Sequence, residues 1–299
     1  MCRAPAVSAD RATTAVGAAQ SDAAHAITPG LARDALPLHH AILLGLLHGP
    51  TELLPVSSSG HTTLVPWLCD WPYHELEPEL RKAFEVALHA GTAVALLVAL
   101  RDEVDDATRG LDRRRLTLIA LSFAVPAVAG LTLERTIEQH LGTPRSIAGG
   151  LLLGSAAMAW ADRTGKSSRA REDAGAVDAL WLGVAQALAL IPGASRNGMT
   201  LAAARRRGFG REDANVLSRH VALPVIVGAT ALKGTRLARR GLPPGIAERF
   251  AAGMLTSFLS TLGSTWLIRQ VERDRSLVPY AAYRSALAVA VLARGRAAR

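Results

Sequence analysis

The sequence predicts an all-α, polytopic helical membrane protein, and three observations carry that prediction. Apolar residues make up 49% of the 299 residues while aromatic residues make up only 4%, with Ala, Leu, Val and Gly dominant. Charged residues, 20% of the chain, gather in short blocks at 101–115, 162–173, 205–213, 233–240 and 269–275. Between the blocks lie apolar stretches near the ~20 residues that a helix needs to cross a bilayer. The third observation is a pair of short apolar segments, each running into a Pro/Gly/Ser-rich turn, one in either half of the chain. Broken apolar segments placed in this way point to an internal repeat with the functional site at the repeat interface.

Residues 1–35 are rich in Ala, Ser, Thr and Asp and hold no apolar core long enough for a secretion signal. They read as a disordered tail, or as the product of a start codon set upstream. Residues 36–299 read as one membrane-embedded domain, with helices near 38–48, 83–100, 116–133, 146–161, 178–191, 216–233, 246–268 and 278–293. The repeat halves fall at about 38–165 and 176–294. The net charge of +9 comes mostly from Arg in the loops and tails. These residues flank apolar runs and have no aromatic interleaving, so the composition points to membrane-lipid headgroups as partners and away from nucleic acid. Cys2 and Cys69 offer neither a disulfide framework nor metal spacing.

The two short segments align with each other. GLLHGPTELLPVSSSGHT starts at Gly45 and GVAQALALIPGASRNGMT at Gly183, an offset of 138 residues. Gly45 meets Gly183, His48 meets Gln186, Ser57 meets Ser195, Gly60 meets Gly198 and Thr62 meets Thr200, while Ser58 meets Arg196. Chance similarity in Ala/Leu/Gly-rich sequence is the competing explanation.

The first segment carries unusual chemistry for membrane depth, where ionisable groups are expensive and mark function. His48 and Glu52 stand at i and i+4, so one helix face presents an imidazole and a carboxylate that together could hold a divalent cation. Pro55 ends that helix. Ser57, Ser58 and Ser59 then supply hydroxyls and backbone N–H groups, and Gly60 lets a ligand approach closely. A hydroxyl nucleophile needs a base, and Ser58 has His61 three residues on. A plain serine-rich cap before the next helix is the structural alternative. The second turn adds Arg196, whose planar fork suits a pair of phosphate oxygens, flanked by Pro192, Gly193, Ser195, Asn197 and Gly198.

Glu52-x-x-Pro55-Val56-Ser57-Ser58-Ser59-Gly60-His61 with Pro192-Gly193-x-Ser195-Arg196-x-Gly198 resembles the bacterial undecaprenyl-diphosphate phosphatase family, the bacitracin-resistance integral membrane type. Phe84-Glu85-Val86, Gly208-x-Gly210-Arg211-Glu212, Ser218 ahead of Leu223-Pro224, Val278-Pro279-Tyr280 and Tyr283-Arg284 fit the same resemblance, which covers about residues 38 to 294. It implies a multi-pass helical protein of the bacterial inner membrane, built from two inverted-topology repeats with re-entrant helix segments and with its site facing outward, that converts the lipid carrier undecaprenyl diphosphate to the monophosphate for cell-wall assembly. It implies Mg2+ or Ca2+ as cofactor, a polyprenyl diphosphate lipid as substrate, and a homodimer as one expected assembly. Carried over by position, Glu52 would serve the metal or the diphosphate, with His48 as a second metal ligand. Ser58 would be the nucleophile or a phosphate ligand, His61 the proton-transfer group or itself the nucleophile, and Arg196 the phosphate clamp. Ser57, Ser59, Gly60, Ser195, Asn197 and Gly198 would form the substrate cradle.

Three positions depart from the family's usual pattern: His48 in place of Glu or Gln, His89 in place of Gln, and Asn197 in place of Ser or Thr. Exchanging an oxygen donor for imidazole weakens a site for Mg2+ or Ca2+ and favours softer divalent ions. The expectation is therefore a working phosphatase with altered metal or pH dependence. The phosphatidic-acid-phosphatase type of enzyme is set aside, because it needs a second His six residues after the Arg and position 202 is Ala. A lipid-carrier flippase without hydrolysis is the non-enzyme alternative.

Overall fold

The computed structural model describes residues 29–242, 244–273 and 276–297. Among them no β-strand forms, and the chain folds into thirteen α-helices with two short 3-10 turns. In chain order these are α1 (Pro29–Ala35), α2 (Leu38–Leu53), α3 (Ser58–Leu68), α4 (Pro78–Ala99), α5 (Arg101–Arg109), α6 (Arg113–His140) and α7 (Pro144–Thr164), followed by α8 (Ala176–Leu188), α9 (Arg196–Arg206), α10 (Arg211–Arg240), α11 (Ala247–Gly263), α12 (Trp266–Arg273) and α13 (Val278–Ala297). Starts follow local chemistry: Pro78 and Pro144 stand in first turns, where a missing N–H costs nothing. Asp112 caps α6 by accepting from the Arg115 N–H at 2.7 Å.

Three helices are long and apolar enough to cross a membrane, Pro78–Ala99, Arg113–Leu133 and Arg211–Arg239. A fourth span results if α11 and α12, bent by 51° at their break, count as one. Large apolar side chains on these helices are exposed, among them Val94, Val98, Val128, Leu131, Leu255 and Leu259. Outward-facing aliphatic surface of that extent suits lipid better than water. The chain is a multi-pass membrane protein.

Two expectations need correction. The tail expected through residue 35 is helical over α1, where Ala32 and Ala35 pack with Leu36 against Tyr73, Leu76, Phe84 and Phe250; the rest of that tail lies outside the described residues. The first broken helix does not end near residue 48 but continues through Pro50 to Leu53. Proline removes the N–H that would bond Leu46 O. Ser260 Oγ on α11 donates to that carbonyl at 2.6 Å instead, so the interruption is satisfied from a neighbouring helix.

That contact depends on close approach of α2 and α11. A Cβ built on Gly49 would stand 2.6 Å from Thr261 N, and one on Gly45 would stand 2.5 Å from Gly253 O. Glycines four apart let two membrane helices touch backbone to backbone. The polar loops are tied inward as well as presented to headgroups. Asp178, buried at the start of α8, accepts two bonds from Arg169, at 2.9 and 2.8 Å, and one from Arg207 at 2.6 Å. Asp162 pairs with Arg211, and Arg205 is buried with its guanidinium on Phe209 O, Gly165 O and Ser167 Oγ. Several loop arginines expected on lipid thus hold loops to one another.

Candidate active site

Two turns of one backbone design converge. Ser57 ends the link from α2 to α3 with φ 79°, and Ser195 ends the link from α8 to α9 with φ 70°. Left-handed φ is costly for a residue with a Cβ. Each serine offsets that cost by capping the helix it starts: the Gly60 N–H donates to Ser57 Oγ at 3.3 Å, and the Gly198 N–H to Ser195 Oγ at 3.2 Å. The two helices have equal length, 11 residues each. Gly193 (φ 92°) leaves no room for a side chain, since its Cβ would strike Ile147 O on α7. Arg284 of α13, fully buried, sews the turns together. It donates to Pro55 O in the first at 3.0 Å and to Gly193 O and Ala194 O in the second, both at 2.8 Å.

Glu52 is where the two turns meet chemically. Its Oε2 accepts the Ser58 hydroxyl at 2.5 Å, and its Oε1 pairs with the Arg196 guanidinium. The Glu52 side chain is 8% exposed and that of Arg196 is 21% exposed, so the pair is shielded yet reachable. Asn197 Nδ2 donates to Leu53 O at 3.0 Å and Ser218 Oγ donates to Asn197 Oδ1 at 3.3 Å, which fastens the second turn to α2 and α10. Two cavities share Glu52, Arg196 and Asn197. One is polar, with Ser57, Ser58, Ser59 and Ser195 on its wall. The other is mixed: Leu53, Leu96, Leu100, Leu223 and Ile226 form an aliphatic wall, and Asn215, Ser218 and Arg219 line it as well.

Not every residue read from the sequence stands where its role required. His61 spends neither ring nitrogen on Ser58: its Nδ1 bonds Ser57 O and its Nε2 bonds the Tyr283 hydroxyl, both at 2.7 Å. Gly60 and Gly198 are buried within the turns: a Cβ on Gly60 would crowd Ser57 Oγ at 3.1 Å, and one on Gly198 would crowd Met158 Sδ at 2.9 Å and the Arg284 guanidinium at 3.2 Å. Ser59 lies beside Ser57, 3.5 Å between hydroxyls. Tyr283, Arg284 and Ser218 had been legible only as parts of a motif, with no role attached. Thr92 and Ser257, which bind His48, carried no signal at all.

His48 and Glu52 do share one face of α2, and α4 brings His89 to them. One ligand atom from each of the three lies within 4.8 Å of the others, and His89 Nε2 is 3.7 Å from Glu52 Oε2. Mg2+ and Ca2+ take six or more oxygen ligands. Two imidazoles and one carboxylate do not make such a set, so these residues do not fit the hard cation that the family resemblance implies.

Comparison with known proteins agrees with the geometry. The family model described as bacitracin resistance protein BacA matches residues 41–290. A protein of Geobacter sulfurreducens named undecaprenyl-diphosphatase is 41% identical over 271 residues, covering 86% of this chain and 98% of that protein. Proteins of the same name from Trichlorobacter lovleyi and Roseobacter denitrificans are 37% and 33% identical, each over 86% of this chain and over 97% and 98% of their own lengths. The chain belongs to the bacitracin resistance protein BacA family.

Proposed function

We propose that this chain hydrolyses undecaprenyl diphosphate to undecaprenyl phosphate and inorganic phosphate. The named relatives support the substrate, and one observation supports the chemistry: a single carboxylate, Glu52, binds both the Ser58 hydroxyl and the Arg196 guanidinium where a polar cavity meets a mixed one with an aliphatic wall. An amphiphile with a diphosphate head and a polyprenyl tail suits that boundary.

In the proposed reaction Glu52 takes the Ser58 proton as Ser58 Oγ attacks the terminal phosphorus. A Ser58 Oγ–P bond forms, the anhydride P–O bond breaks, and undecaprenyl phosphate departs. Water then cleaves the phosphoserine: its oxygen bonds phosphorus, the Ser58 Oγ–P bond breaks, Glu52 returns its proton to Ser58 Oγ, and inorganic phosphate leaves with both water protons. Arg196 holds the phosphoryl oxygens and stabilises charge as it moves to the leaving group. His61, with Ser57 O on one nitrogen and Tyr283 on the other, acts as a positioning residue that fixes the shape of the serine turn. No step requires Mg2+ or Ca2+ at Glu52. We also propose, from the family resemblance, that the reaction takes place in the bacterial inner membrane, with the site open to the outer face and the two halves related as inverted repeats.

Phosphate release from undecaprenyl diphosphate by purified protein in detergent tests the reading. The wild-type chain is expected to release phosphate and Ser58→Ala to release none above background. Equal release by both would remove Ser58 from the chemistry, and substrate binding without release by wild type would favour a carrier.

A further inference from the structure

We propose that His48, Glu52 and His89 bind one divalent transition-metal ion of the zinc class through two imidazole nitrogens and one carboxylate oxygen. This deepens the hydrolase reading, because Glu52 also holds Ser58, but it rests on hydrogen bonding around the two rings.

The state of one nitrogen of His89, Nδ1, is fixed by its partner. Its Nδ1 lies 2.8 Å from Glu85 O, and a carbonyl only accepts, so the proton is on Nδ1. Nε2 of the neutral ring is then a lone pair, 3.7 Å from a carboxylate oxygen that is also electron-rich. Two acceptors face each other, and something positive belongs between them.

His48 reaches the same state by a longer chain. Its Nδ1 is 2.9 Å from Thr92 Oγ1. Ser257 spends its hydroxyl proton on Leu88 O at 2.9 Å, and Thr261 spends its own on Ser257 O at 2.7 Å. Thr92 therefore directs its single hydroxyl proton at these two oxygens, 2.9 and 3.2 Å away, and both Thr92 Oγ1 and Ser257 Oγ, the latter 3.3 Å from His48 Nδ1, are left to accept from His48 Nδ1–H. In the other tautomer an N–H would stand on Nε2, which is buried and has no partner. An orphaned buried N–H is rarer and costlier than an unused lone pair. His48, 0% exposed, thus carries a second bare nitrogen, on a ring whose centroid is 4.5 Å from that of His89 and which offers a ligand atom within 4.8 Å of those of Glu52 and His89. Imidazoles tethered at Nδ1 by a carbonyl or hydroxyl and free at Nε2 are oriented as metal ligands are by their surrounding hydrogen bonds.

Two nitrogens and one oxygen suit Zn2+, Co2+ or Fe2+, with positions left open for water or a phosphate oxygen. When bound, such an ion supplies positive charge beside Ser58. The alternative occupant is a proton, which would make His89 and Glu52 a simple ion pair.

Metal content separates the two and needs no substrate, so its failure is distinct from failure of the hydrolase reading. Purified protein, stripped with a chelator, is titrated with Co2+ and followed by visible absorption, then challenged with Zn2+, Mg2+ and Ca2+. One Co2+ per chain is expected, displaced by Zn2+ and retained in excess Mg2+ or Ca2+. H89Q is expected to weaken binding by more than about 100-fold, and T92V, which loosens only the His48 tether, by roughly 10- to 100-fold. X-ray absorption at the zinc edge of wild-type protein gives a reading free of any folding defect in a variant, with two imidazoles in the first coordination sphere expected. No bound Co2+ or Zn2+, binding unchanged in H89Q, or displacement by equimolar Mg2+ would each overturn the proposal.

Discussion

The Ser57 turn and the Ser195 turn share a backbone and differ in almost every side chain that does chemistry. Both place a serine at positive φ, cap an 11-residue helix and accept from a glycine N–H three residues on. Beyond that, position for position, Ser58 faces Arg196, Ser59 faces Asn197, His61 faces Met199, and Glu52 faces Leu190. The first turn carries a nucleophile and its carboxylate, and the second carries the cation. A phosphoryl-transfer site needs opposite charges held close without cancelling each other's use, and two copies of one turn supply that by dividing the roles. Arg284, bonded to carbonyls of both turns, keeps the halves in register.

The comparison breaks most sharply at the position pairing Ser58 with Arg196. Ser58→Ala is expected to lower kcat/KM by more than about 10⁴-fold, as loss of a nucleophile does elsewhere. Arg196→Lys keeps the charge and loses the planar fork, and a fall of roughly 10²- to 10³-fold is expected, the range for removal of one charge-stabilising donor. Tyr283→Phe removes one hydrogen bond from His61; at about 1 kcal/mol the loss is near fivefold, in kcat and without a change in metal binding. The smallest effects test the shared design. Ser57→Ala and Ser195→Ala should each lower stability by ~1 kcal/mol in detergent unfolding, and the glycine variants by only a few tenths. Unequal responses of the two turns would show that they are alike in outline only.

The sequence made the helical class, the two turns and the Glu52, Ser58 and Arg196 set legible, since each depends on local pattern or on a motif. Other features depended on contacts that no local pattern reports. The continuation of α2 past Pro50 needs a hydroxyl from Ser260, more than two hundred positions away. His61 beside Ser58 in sequence looked like its base, yet a helical turn carries the imidazole away to Tyr283 on α13. His89 stood out as a departure from the family's usual residue, but its meaning came only when α4 set it against Glu52. Arg205 and Arg207 looked like headgroup anchors because charge blocks give sign and not direction; in the fold they point at Phe209 O and Asp178.

If the two turns form one site, the Glu52–Arg196 contact couples them, and a double-mutant cycle on kcat/KM for phosphate release reads that coupling directly. Glu52→Gln, Arg196→Gln and the double variant are compared with wild type. The expected result is strong non-additivity, with the double variant about as slow as the slower single, because each change already disables a shared unit. Losses that multiply, the double falling by the product of the two singles, would mean that the turns act independently and would contradict a single divided site.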